Sequence, residues 1–185
     1  MNKVLTVPNG LTALRALGIP LFIYLALSRH ADGQAVLVLV AGGATDYFDG
    51  KIARAWNQES RFGELFDPAI DRLYIAATLL VFYLRDVVPV WLIFLIVGRD
   101  VLLGAMTIAM HRVSIPPFKV TFLGKAATFN LLYAFPLLLL AKSGTTGSWL
   151  AFSLGWSFAI WGIALYLVTG VDYFRIGWRS LGATK

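Results

Sequence analysis

Four aspartates within one short stretch, Asp46, Asp49, Asp67 and Asp71, are the residues of this chain best equipped for chemistry. Asp46 and Asp49 are three apart, and Gly50, Ala53 and Arg54 follow at helical offsets, so all five fall on one face of a helix. Gly63, Asp67 and Asp71 repeat every four residues, which is again one helical face, and a short turn between Trp56 and Phe62 would let the two faces meet. Four carboxylates converging at low dielectric repel one another strongly, so such a cluster calls for bound cations. The donors are all oxygen, the chain has no cysteine, and no histidine lies in the region; this favours Mg²⁺ or Mn²⁺ over zinc or copper. Two such ions about 3.5–4 Å apart could clamp a pyrophosphate. The Arg54 guanidinium would add positive charge, and the missing side chains at Gly50 and Gly63 would admit a nucleotide closely. The expectation is a phosphoryl-transfer site. The plainer alternative makes the aspartates helix caps or salt-bridge partners of Arg54, Arg61 and Arg72, but four acids at helical spacing beside two glycines outweigh it.

The elements that must position these acids belong to a membrane protein. The chain has 185 residues, 58% of them hydrophobic, and its mean hydropathy is +0.73. That is too apolar for one soluble core. Apolar stretches long enough to cross a hydrocarbon layer of roughly 30 Å predict an all-α integral membrane protein with six transmembrane helices. They are placed near Leu11–Leu27, Ala35–Ala53, Asp67–Leu84, Val88–Met110, Phe122–Ala141 and Trp149–Tyr173, with a short interfacial segment, Lys3–Val7, ahead of the first. No small-residue cleavage site follows the first span, which is therefore read as permanent. Ile115-Pro116-Pro117 reads as a loop, and residues 1–185 read as one domain.

The segments Ser28–Gln34, Arg85–Val87 and Lys142–Ser148 carry only Arg29, Arg85 and Lys142, whereas the opposite side receives Lys3, Lys51, Arg54, Arg61, Arg72, Arg112, Lys119, Lys125, Arg175, Arg179 and Lys185. The positive-inside rule then puts both termini and the acidic region in the cytoplasm of a multi-pass cell-membrane protein. The net charge of +6 is dispersed at helix ends rather than gathered in a run, which argues for anionic lipid and against nucleic acid as the electrostatic partner. Trp91, Trp149, Tyr173 and Trp178 fit interfacial belts.

The acids and their spacing resemble a known signature. Asp46-Tyr-Phe-Asp49-Gly50-Lys-Ile-Ala53-Arg54, then eight residues, then Gly63-Glu-Leu-Phe-Asp67-Pro-Ala-Ile-Asp71 is similar at every fixed position to the D-x2-D-G-x2-A-R-x8-G-x3-D-x3-D motif of the CDP-alcohol phosphotransferases. The resemblance implies a metal-dependent transfer from a CDP-linked donor to an alcohol, with release of CMP, in a homodimer. It also implies that Asp46, Asp49 and Asp67 bind metal, that Asp71 binds metal and takes the proton from the attacking hydroxyl, and that Gly50, Arg54, Ser60 and the Asn9–Thr12 turn contact the CDP moiety. A helix N-cap explains Ser60 equally well.

Val7-Pro8-Asn9-Gly10-Leu11-Thr12-Ala13-Leu14-Arg15 resembles the P-N-x-L-[ST]-x-x-R opening shared by phosphatidylglycerophosphate synthases and eukaryotic-type cardiolipin synthases, which implies CDP-diacylglycerol as donor. The acceptor would be phosphatidylglycerol or glycerol 3-phosphate. Arg99-Asp100-Val101 looks like the cardiolipin synthase pattern, and Gly124-Lys125-Ala126-Ala127-Thr128 lacks the second lysine of the other group, so phosphatidylglycerol is favoured. Arg99, Arg112, Lys119 and Lys125 are candidates to hold the acceptor phosphate, Lys125 foremost; for Arg112 and Lys119 taken singly, positive-inside charge is explanation enough. A divalent-cation transporter is the reading from another class, and Arg54 beside the acids speaks against it.

Overall fold

The computed structural model describes residues 7–55, 61–116 and 121–182, and among them it is helical apart from short connections. Six α-helices run in order: α1 Val7–Ile23, α2 Asp32–Ala55, α3 Arg61–Leu84, α4 Val90–Arg112, α5 Phe122–Ala141 and α6 Ser148–Gly182. A single wide turn of π-helix, Tyr24–Ser28, continues α1. Helices α4, α5 and α6 are each long and apolar enough to cross a membrane, and Thr12–Ser28 adds a shorter apolar stretch. Phe94, Phe122 and Trp161 are among the many large apolar side chains left exposed on them, as lipid contact requires. The chain is an all-α integral membrane protein.

Helix α5 has the bounds expected from its apolar run. Three expectations are corrected. Helix α3 starts at Arg61 and so takes in residues 61–66 ahead of the expected span. Asn9–Thr12 is helical, part of α1 rather than a turn. Helix α6 runs beyond Tyr173 to Gly182. Lys3–Thr6 of the interfacial segment and residues 56–60 of the expected turn lie outside the described residues.

Left-handed residues end three helical segments: His30 (φ 48°), Asp86 (φ 48°) and Ser114 (φ 59°). After α3 and α4 the next residue folds back to bond a carbonyl of the last turn, Val87 N–H to Phe82 O at 3.0 Å and Ile115 N–H to Met110 O at 3.0 Å. The chain forms two compact units, Met1–Val87 with Lys142–Ser148, and Val88–Ala141 with Trp149–Lys185. In the first, α1 packs on both α2 and α3. Tyr74 of α3 is lodged where α1 and α2 have no side chain: a Cβ on Gly18 would overlap its hydroxyl, and one on Gly42 would lie 3.0 Å from Oη and 3.1 Å from Cζ. At the other end of α3, Arg85 grips the buried Asp32 with both terminal nitrogens. In the second unit, α6 buries a stripe of mostly small residues, Ala151, Gly155, Ala159 and Gly162, before Tyr166, Thr169, Gly170 and Tyr173. Gly155 and Gly162 meet Leu138, Asn130 and Leu131 of α5, the close approach that small residues allow between membrane helices.

Candidate active site

The backbone of α2 is helical through Asp46, Asp49, Gly50 and Arg54, and that of α3 through Gly63, Asp67 and Asp71. The sequence spacing therefore holds: each set occupies one side of its helix, and both helices pack on α1. The side chains of Asn9, Asp46, Asp49, Arg54 and Asp67 lie outside the described residues, as do Ser60 and Lys119 entirely. Asp71 is described in full. Its carboxylate keeps about half of its surface, with a relative exposure of 49%, while Arg15 of α1, at 1%, donates from Nη1 to Asp71 Oδ1 at 2.8 Å. Thr12 lies one turn before Arg15 on the same face of α1 and is buried at 2%.

Arg15 received no role in the sequence reading, although its signal was present. A guanidinium inside an apolar span is as costly as a carboxylate there and calls for the same search for a partner. That partner lies 56 residues away, beyond the reach of any local pattern.

In the second unit Arg99 and Asp100 pair with each other, Nη1 to Oδ1 at 3.0 Å. The Tyr166 hydroxyl donates to the same Asp100 oxygen, and the Arg99 guanidinium lies 4.0 Å from the centroid of the Tyr166 ring. Gly170 leaves room for the arginine stem, since a Cβ there would sit 3.1 Å from Arg99 Cγ and Nε. Arg99 Nε is buried with no hydrogen-bond partner among the described residues. Tyr173, expected in an interfacial belt, is instead buried, because its hydroxyl has work at the start of α5: it accepts from Thr121 N–H at 2.9 Å and meets Thr121 Oγ1 at 3.0 Å. Thr121 Oγ1 in turn accepts from Gly124 N–H at 3.2 Å in the manner of a helix cap. Lys125 is exposed in the first turns of α5, and Arg112 is exposed in the last turn of α4.

These features describe a membrane protein that carries an acidic motif on two consecutive helices. Residues 5–168 match the family model described as CDP-alcohol phosphatidyltransferase, and the chain belongs to that family of phosphotransferase enzymes. A cardiolipin synthase (CMP-forming) of Streptomyces coelicolor is 48% identical over 177 residues, covering 93% of this chain and 82% of the relative. A Mycobacterium tuberculosis protein is 44% identical over 172 residues, covering 93% and 82%. A CDP-diacylglycerol–glycerol-3-phosphate 3-phosphatidyltransferase of Rickettsia felis is 32% identical over 173 residues, covering 91% and 93%.

Proposed function

We propose that the enzyme transfers the phosphatidyl group of CDP-diacylglycerol to phosphatidylglycerol, forming cardiolipin and releasing CMP, as a single-domain homodimer in the cell membrane with its acids and both termini facing the cytoplasm. The observation that carries the acceptor is the identity of 48% with the Streptomyces coelicolor cardiolipin synthase, against 32% with the Rickettsia felis enzyme named for glycerol 3-phosphate.

The donor set fits Mg²⁺ or Mn²⁺: four carboxylate positions, all oxygen, on two helices of one unit, with Asp71 still half exposed beside its arginine. Asp46, Asp49, Asp67 and Asp71 would hold two such ions, which when bound neutralise the acids and the pyrophosphate charge. Asn9, Thr12, Gly50, Arg54 and Ser60 hold the CDP-diacylglycerol. Asp71 accepts the proton of a phosphatidylglycerol hydroxyl as that oxygen attacks the phosphorus bearing the diacylglycerol. The new P–O bond forms as the bond to the CMP phosphate breaks, and CMP departs with the electron pair. Arg99, Arg112, Lys119 and Lys125 are the cations offered to the acceptor phosphate, and Arg99 comes already paired with Asp100. A phosphodiester monoanion suits such a compensated site better than the dianion of glycerol 3-phosphate does.

The test offers both acceptors to purified enzyme with CDP-diacylglycerol and Mg²⁺. Cardiolipin from phosphatidylglycerol is the expected product. CMP release that needs only glycerol 3-phosphate would establish the second acceptor, and Mg²⁺ flux through reconstituted protein without CMP would point to transport.

A further inference from the structure

We infer that Arg15 is a positioning residue for the transfer: from α1 it fixes the orientation of the Asp71 carboxylate, at a helix register set by Tyr74 in the notch of Gly18 and Gly42. This rests on the reading of Asp71 as the base. The pair is lopsided, with the cation at 1% exposure and the anion at 49%. Asp71 thus keeps water-accessible surface and does not need Arg15 to be solvated, whereas Arg15 is withdrawn almost wholly from solvent where it donates to Asp71. Burying a guanidinium is expensive, and an ion pair kept only to join helices can often be replaced by apolar packing at no loss. What an apolar pair cannot do is hold a carboxylate by a directed donor from a planar, rigid fork. A reacting group displaced by about 1 Å loses on the order of 10²-fold in rate, which is the scale of benefit such a restraint offers.

The surrounding packing serves the same end. Gly18 lies one turn beyond Arg15 on α1, and Tyr74 lies one turn beyond Asp71 on α3. The Tyr74 hydroxyl occupies the space where a Gly18 Cβ would be, so the two helices are keyed together immediately next to the ion pair.

Arg15→Gln, Arg15→Lys and Arg15→Gln combined with Asp71→Asn test the inference in purified enzyme, with thermal unfolding confirming that each variant is folded. Arg15→Gln is expected to lower kcat by about 10²-fold while the KM for each lipid, and the affinity for CDP-diacylglycerol measured without acceptor, stay within about threefold. Arg15→Lys restores about a tenth of the wild-type rate, and it carries the test alone if Arg15→Gln does not fold. On the Asp71→Asn background the Arg15 change costs less than about threefold, because the group it positions has gone. A loss of CDP-diacylglycerol affinity that parallels the loss of rate would make Arg15 a substrate contact and overturn the inference. So would a full 10²-fold cost on the Asp71→Asn background, or full activity in Arg15→Gln. Full activity in Asp71→Asn alone would instead remove the base assignment beneath it.

Discussion

The first unit and the second each hold an arginine paired with an aspartate, and the two pairs are built in opposite ways. Arg15 and Asp71 are 56 residues apart and join α1 to α3; the arginine is sealed in and the carboxylate half exposed. Arg99 and Asp100 are neighbours on α4 with similar exposures, 17% and 27%, and Tyr166 of α6 attends to both, bonding the acid and lying against the base. The same two functional groups thus give a carboxylate presented for use in one place and a nearly neutral unit in the other. Presentation suits chemistry, whereas neutrality suits recognition of a group that carries little charge of its own.

The two carboxylates should therefore fail differently. Asp71→Asn is expected to cut CMP release by about 10³-fold with the protein still folded, as loss of a general base does. Asp100→Asn should cost kcat less than about tenfold and, by freeing the Arg99 charge, should make glycerol 3-phosphate a stronger competitor against phosphatidylglycerol. Steady-state kinetics with both acceptors checks the pair. Equal losses of kcat in the two variants would erase the contrast.

A smaller effect should follow from the register of α1 on α3. Gly18→Ala puts a methyl group where the Tyr74 hydroxyl sits and should lower the rate about tenfold by pushing α3 away from Arg15. Tyr74→Phe removes that hydroxyl and leaves Cζ at 3.4 Å from the new Cβ, an ordinary contact. The double variant should then be more active than Gly18→Ala alone, an outcome that a general loosening of the fold would not produce.

How much of this was legible in the sequence depended on distance along the chain. The α5 bounds were readable because a mostly apolar stretch stands between Thr121 on one side and Lys142 and Ser143 on the other, and the four acids because charge in such a chain demands a reason. The start of α3 was legible in part: the four-residue spacing puts Gly63 on the helical face with Asp67 and Asp71, but the charges of Arg61 and Glu64 kept residues 61–66 out of the expected span, and α3 takes them in. Tyr173 matched an interfacial tyrosine by position, and only the packing of α6 against the start of α5 shows its hydroxyl turned inward to Thr121. Arg15 and Asp71, like Asp100 and Tyr166, are partners across helices. Periodicity places each on a face of its own helix and does not say which faces meet.

The smallest effect expected concerns Tyr166, because two of its interactions can be removed separately. Tyr166→Phe deletes the hydrogen bond to Asp100 and keeps the ring 4.0 Å from the Arg99 guanidinium. A charge-assisted bond at a site with partial solvent access is worth about 1 kcal/mol in practice, so the KM for phosphatidylglycerol should rise about threefold to fivefold. Tyr166→Leu also removes the ring, whose attraction for a cation adds about 0.5–2 kcal/mol, and should raise that KM further, by about tenfold or more in total. Both changes should leave CDP-diacylglycerol binding close to wild type. If Phe and Leu behaved alike, the aromatic face would contribute nothing to Arg99, and the neutrality of the second pair would rest on Asp100 alone.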